Sequence, residues 1–78
     1  MTNTDMLNEL IRERGLKKGF IAEKLGISPY WFTQKSRNQA TFTADEITIL
    51  CSLLNIKSLR QKENIFFADK VENISTQK

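Results

Sequence analysis

The stretch AEKLGISPYWFTQKSRN, residues 22 to 38, decides the fold. It sets the chain's only proline, only tyrosine and only tryptophan side by side and adds a phenylalanine: Pro29, Tyr30, Trp31, Phe32. Successive side chains on a helix stand about 100° apart, so adjacent aromatics cannot all enter one core. Some of them must face outward. Gly26 stops one helix, and Ser28 with Pro29 opens the next, the serine as N-cap and the proline at the first helical position, where a missing N–H costs nothing. Two short helices therefore meet at LGIS. Such a corner needs a small residue at the contact and a backbone that turns sharply, and Ala22 and Gly26 stand at those places. Ile21, Leu25, Ile27 and Phe32 have the spacing that pins both helices to a bundle.

Working outward, Leu7, Leu10, Ile11 and Arg14 fall at i, i+3, i+4 and i+7, which predicts a first helix over residues 5 to 14. Thr4 or Asp5 is its expected N-cap, and Gly15 lies just past its end. A second helix begins near Lys17 or Lys18 and buries Ile21, Ala22 and Leu25; the third runs from Pro29 to about Arg37 or Asn38. After the loop RNQATFT, Thr43 and Glu46 form a capping box that opens a fourth helix, with Ile47, Leu50, Cys51 and Leu54 as its core stripe. Asn55 suits the left-handed position at its end. Ser58 and Gln61 make another capping box, for a fifth helix with Leu59, Ile65 and Phe66 inward. The expectation is an all-α fold, a compact bundle of four to five short helices in one domain over residues 1–68. Residues 69–78 form a polar tail, for dimerisation or disordered.

Seventy-eight residues leave little room for the deep pocket of an enzyme. The single cysteine, Cys51, has apolar neighbours and reads as a small core residue, and the chain has no histidine, so neither a disulfide, a metal site nor a cofactor is expected. The start MTNTDMLNEL lacks the basic and apolar regions of a secretion signal, and the most apolar stretch, 47–56, is interrupted by Thr48, Ser52 and Asn55. These features fit a reducing, cytoplasmic home. The net charge of +3 is unevenly spread, since residues 12–37 hold seven basic side chains against Glu13 and Glu23. A cationic segment of this kind suits a polyanion.

The chain resembles the phage repressor and Cro-like helix-turn-helix family. LNELIRERGLKKGFIAEKLGIS is similar to that family's first two helices, FTADEI to the start of its fourth, and the ending IFFADKVEN to short Cro-like regulators of Gram-positive phages and prophages. The resemblance covers about residues 5 to 67. It implies a sequence-specific double-stranded DNA-binding transcriptional regulator in a bacterial host cell, with the third helix in the major groove.

The helical wheel gives an independent reading of that helix. Tyr30, Thr33, Gln34 and Arg37 stand at i, i+3, i+4 and i+7 and form one face of hydrogen-bonding groups, while Phe32 lies opposite. The family's base-contacting positions, carried over by resemblance, fall on Pro29, Tyr30, Thr33 and Gln34. Gln34 suits adenine, the Thr33 methyl and the Pro29 or Tyr30 ring suit a thymine methyl, and Arg37 suits guanine or a phosphate equally. Lys17 and Lys18, at a helix start where the dipole disfavours cations, make sense with a bound phosphate. Ser28, Trp31, Asn38, Gln39 and Thr41 complete the expected phosphate contacts. At Trp31 the family usually has a small polar residue facing the DNA backbone, so the indole either folds against the domain or adds a bulky contact at the groove edge.

Three positions depart from the family. Lys35 and Ser36 stand where it favours an apolar residue, so the end of the third helix is expected to be loosely anchored. Phe20 is usually polar, and Gly19 inside a helix has no evident reason. A module this small is expected to bind a palindromic operator as a homodimer, with recognition helices about 34 Å apart. Ile49 with Leu53, or Phe67, Val71 and Ile74, are the candidate interfaces; burial of one group under the other is the simpler alternative. Neither a membrane nor a small-molecule effector is expected. The rival reading is a protein-interaction module, antirepressor or antitoxin-like, that keeps the shape without using it on DNA.

Overall fold

The computed structural model describes residues 1–69. Five helices follow in order, α1 (Thr4–Arg14), α2 (Lys18–Leu25), α3 (Pro29–Ser36), α4 (Ala44–Leu53) and α5 (Leu59–Phe66), and no strand occurs among the described residues. The all-α bundle expected from the sequence is therefore the fold. α2 packs against α3 and α4, and α1 against α5.

Helix starts follow the local chemistry closely, with one shift. Asn3, rather than Thr4 or Asp5, caps α1, its Oδ1 accepting the Met6 N–H at 3.1 Å. Ser28 accepts the Trp31 N–H at 3.2 Å to open α3. At α4 both bonds of the capping box form, Glu46 N–H to Thr43 Oγ1 at 3.1 Å and Thr43 N–H to Glu46 Oε1 at 2.9 Å. α5 keeps half a box, with Ser58 accepting the Gln61 N–H at 3.1 Å.

Helix ends share one device. α1 to α4 each close with a left-handed residue, Gly15, Gly26, Asn38 and Asn55 in turn, with φ between 57° and 75°. In each case the left-handed residue's N–H bonds back three residues and the next N–H bonds back five, as in Gly26 to Glu23 and Ile27 to Ala22, both at 3.1 Å. This is the Schellman arrangement, which satisfies carbonyls that a helix end would otherwise orphan. Gly26 is there for its φ of 75° and not for space, because a Cβ built on it would touch nothing. Ala22, fully buried, is the small residue at the contact.

The core joins every helix. Leu7, Leu10, Ile11, Ile21, Leu25, Ile47, Leu50, Leu54, Ile65 and Phe66 are buried as the patterning predicts. Phe42 and Ile56, in loops by pattern, are buried too. Phe42 links Phe32 to Phe66, with ring centroids 5.9 and 6.0 Å apart. Leu59 departs from expectation, since it is 68% exposed at the first position of α5, beyond the reach of the core. Cys51, Ile49, Leu53 and Phe67 are half-buried against the core, and burial pushes the Cys51 thiol up. Ile49 and Leu53 of the first proposed interface and Phe67 of the second are thus partly covered within one chain, while Val71 and Ile74 lie outside the described residues. No helix among those residues is long and apolar enough to cross a membrane.

Candidate nucleic-acid interface

The turn Gly26–Ile27–Ser28 fixes how α3 leaves α2. The left-handed Gly26 reverses the chain, half-buried Ile27 packs against the core, and Ser28 starts the new helix within one residue. Pro29, with φ preset, takes the first helical position. The backbone of the α3 N-terminus is consequently as fixed as local chemistry allows.

Two sides of α3 then differ sharply. Phe32 (0% exposed) and Ser36 point inward. On the other side Pro29, Tyr30, Trp31 and Arg37 are exposed and Thr33 and Gln34 half-exposed. Among the described residues the side chains of Thr33, Gln34 and Arg37 have no hydrogen-bond or ionic partner, so their polar groups remain available on one face. Arg37 sits just past the last helical residue but stays on that face, its N–H bonded to Thr33 O at 3.1 Å. Tyr30 and Trp31 touch each other edge to face, with centroids 5.5 Å apart. Trp31 is 51% exposed, so about half of the indole is covered and half is open to a partner.

The C-terminal end of α3 overturns the expectation of loose anchoring. Ser36 bonds its hydroxyl to Phe32 O at 2.9 Å, and its own carbonyl accepts the Thr4 hydroxyl at 2.6 Å. Lys35 Nζ reaches both oxygens of Glu46, at 2.7 and 2.8 Å, with only 15% and 10% of the two side chains exposed. Burial by itself would raise the Glu46 carboxyl. The Lys35 ammonium and the Thr43 N–H and hydroxyl outweigh it and hold the carboxyl below its usual range. Polar bonds here replace the missing apolar anchor.

Asn38 is also placed differently from expectation. Its Oδ1 accepts the Thr2 N–H at 2.8 Å and its Nδ2 donates to Thr2 O at 2.9 Å. The amide expected at a phosphate is engaged in holding the N-terminal segment. Gln39 and Thr41 remain exposed in the loop that follows.

Lys17 and Lys18 stand apart from the α3 face, about 10 Å along the α2 axis from the turn. Lys17 occupies the N-cap without making a cap bond, so the first α2 N–H groups have no side-chain acceptor. Among the described residues Lys17, Lys18 and Arg37 have no carboxylate partner, whereas Lys35 is paired with Glu46 and Arg12 with Glu9. Lys24 lies over the Phe20 ring, 5.3 Å from its centroid, and Phe20 is 42% exposed. Arg14 also has no carboxylate partner, its Nε donating to Leu54 O at 2.7 Å. Of the seven basic side chains over residues 12–37, two are therefore neutralised within the described residues, and the side chains of Lys17, Lys18 and Arg37 have neither an ionic nor a hydrogen-bond partner there.

The supporting residues Thr2, Thr4, Lys35 and Glu46 escape a sequence reading. The capping box marked Glu46, but nothing in the pattern joins it to Lys35 eleven residues earlier. No protein-family model, curated protein or solved structure matches the chain.

Proposed function

We propose that this chain is a sequence-specific double-stranded DNA-binding regulator of the helix-turn-helix type, with the Cro-like repressors as the nearest analogy. One observation carries the reading: α3 is fastened along its inner side by Phe32, Lys35 and Ser36 while its outer face presents unpartnered Thr33, Gln34 and Arg37 beside exposed Tyr30. A rigid helix with free donors and acceptors on one face is what reading base edges in a major groove requires. In this proposal Gln34 pairs with adenine, Tyr30 and Thr33 meet thymine methyls, and Lys17 and Lys18 with the uncapped α2 N–H groups hold phosphate. The protein acts as a dimer on an inverted repeat.

Selection from random duplex DNA, followed by affinity against salt, tests this directly. The expected result is a short inverted repeat and a steep salt dependence. Gln34→Ala should relax base preference at a cost of about 1–3 kcal/mol on the selected site, while Lys18→Ala should weaken all sequences alike and lower the salt slope by about one. Selection without any enriched sequence, or without a salt slope, would sink the proposal. The protein-interaction reading draws on exposed Phe20, Tyr30 and Trp31, residue types that anchor protein interfaces. It predicts instead that no sequence is enriched from random duplex DNA.

A further inference from the structure

Two large rings at the start of α3 are left half in solvent and in contact with each other. Tyr30 is 63% exposed and Trp31 51%, and their planes stand 78° apart at a centroid distance of 5.5 Å. Adjacent residues on a helix normally diverge, so this contact is a choice of rotamers and not a consequence of crowding. The backbone beneath them is fixed by the Ser28 cap, which receives the Trp31 N–H itself, and by Pro29. With the backbone set and the indole against one side of its ring, the Tyr30 side chain has fewer orientations open to it than a lone exposed tyrosine.

We propose that Trp31 is a positioning residue for Tyr30, which it holds in the orientation that meets a thymine methyl group in the major groove, instead of being a phosphate contact. The assignment rests on the DNA-binding reading above. A lone exposed tyrosine would lose rotamer freedom on binding, and prior ordering by the indole removes that cost. The indole offers only one N–H donor to a phosphate and no charge, which makes it a poor substitute for Lys17 or Lys18 in that role.

The test uses the full chain and the duplex recovered by selection, in which each thymine is replaced in turn by deoxyuridine, which lacks only the methyl group. For the unchanged protein the thymine that Tyr30 meets in each half-site, separate from any that Thr33 meets, should lose about fourfold in affinity, the value of one buried methyl. Tyr30→Ala should abolish that loss at the same position. Trp31→Ala should abolish it too, with the salt slope unchanged, and Trp31→Phe, which keeps a ring in place, should restore it in part. Because Trp31 is the only tryptophan, its fluorescence in the free protein should also change in Tyr30→Ala. Both side chains are exposed, so the variants should fold, and circular dichroism checks this. A Trp31→Ala protein that still discriminates thymine from uracil at the Tyr30 position overturns the proposal. So does one that weakens every sequence equally and lowers the salt slope, the behaviour of a phosphate contact. Should the unchanged protein select no sequence, the DNA-binding reading itself falls; should it select one without any methyl-sensitive position, only the present assignment does.

Discussion

Two glycines that look alike in the sequence do opposite things at the level of single residues. Gly26 has φ 75°, a conformation that costs an ordinary L-residue about 1–2 kcal/mol, and both bonds of the Schellman closure depend on it. Gly19, inside α2, has no positive φ, and a Cβ there would meet nothing. Gly26→Ala should therefore lower stability by about 1–2 kcal/mol, and Gly19→Ala should raise it by about 0.5–1 kcal/mol. Urea unfolding of the two variants measures both signs; equal effects in the same direction would mean that backbone conformation is not what separates them. The sequence singled out Gly26 because a cap and a proline follow it within three residues. Gly19 has no such neighbours, and its lack of a structural role became visible only in three dimensions.

The fold of each element was legible because its signals are local. Ser28, Thr43, Asn55 and Gly26 act within five residues of their own positions, and the caps and closures they predict all form. What fastens one element to another was not legible, since it depends on which side chains arrive together from distant positions. Lys35 looked like a free cation and a weak anchor; Glu46 turns it into a nearly buried ion pair that ties α3 to the start of α4. Breaking such a pair from one side leaves a buried charge uncompensated. Glu46→Gln should accordingly cost about 3 kcal/mol at neutral pH. The same change should alter the acid limb of stability, and the sign follows from the lowered carboxyl. Because the folded protein holds Glu46 below its unfolded value of 4.5, the pair contributes fully above that pH and is lost as pH falls through the folded value. Unfolding free energy measured from pH 7 downward should decline below pH 4.5 in the unchanged protein and decline less in Glu46→Gln. Parallel acid limbs would show that other carboxylates carry the dependence.

Across the whole molecule, the first four residues connect two helices that are far apart in sequence. Thr2 and Thr4 bond to Asn38 and Ser36 at the end of α3, while Asn3 N–H bonds to Ile65 O at 2.6 Å and Met1 O accepts the Ala68 N–H at 2.9 Å at the end of α5. Thr2 is buried and its bonds to Asn38 partly so, and each of these bonds is worth about 1 kcal/mol net. The Met1 ammonium also pairs with Asp69, but both partners are more than half exposed and such pairs contribute little. The segment thus holds the candidate interface in register with α5 through Thr2 to Thr4, and the pair at Met1 is incidental. If the segment acts as one unit, loosening it at one end should loosen the other. Asn38→Gly isolates the effect, because glycine keeps the φ of 66° and removes only the two amide bonds. That variant should lose about 1–3 kcal/mol. Its Thr2 amide should exchange with solvent faster, and so should the Asn3 amide, whose partner is Ile65 and not Asn38. In the DNA-binding reading, the same variant should weaken binding to selected and unselected duplexes alike, since it shifts α3 without touching Gln34. Acceleration confined to Thr2 would mean that the bonds act one by one and that α5 and α3 are not coupled through the N-terminal segment.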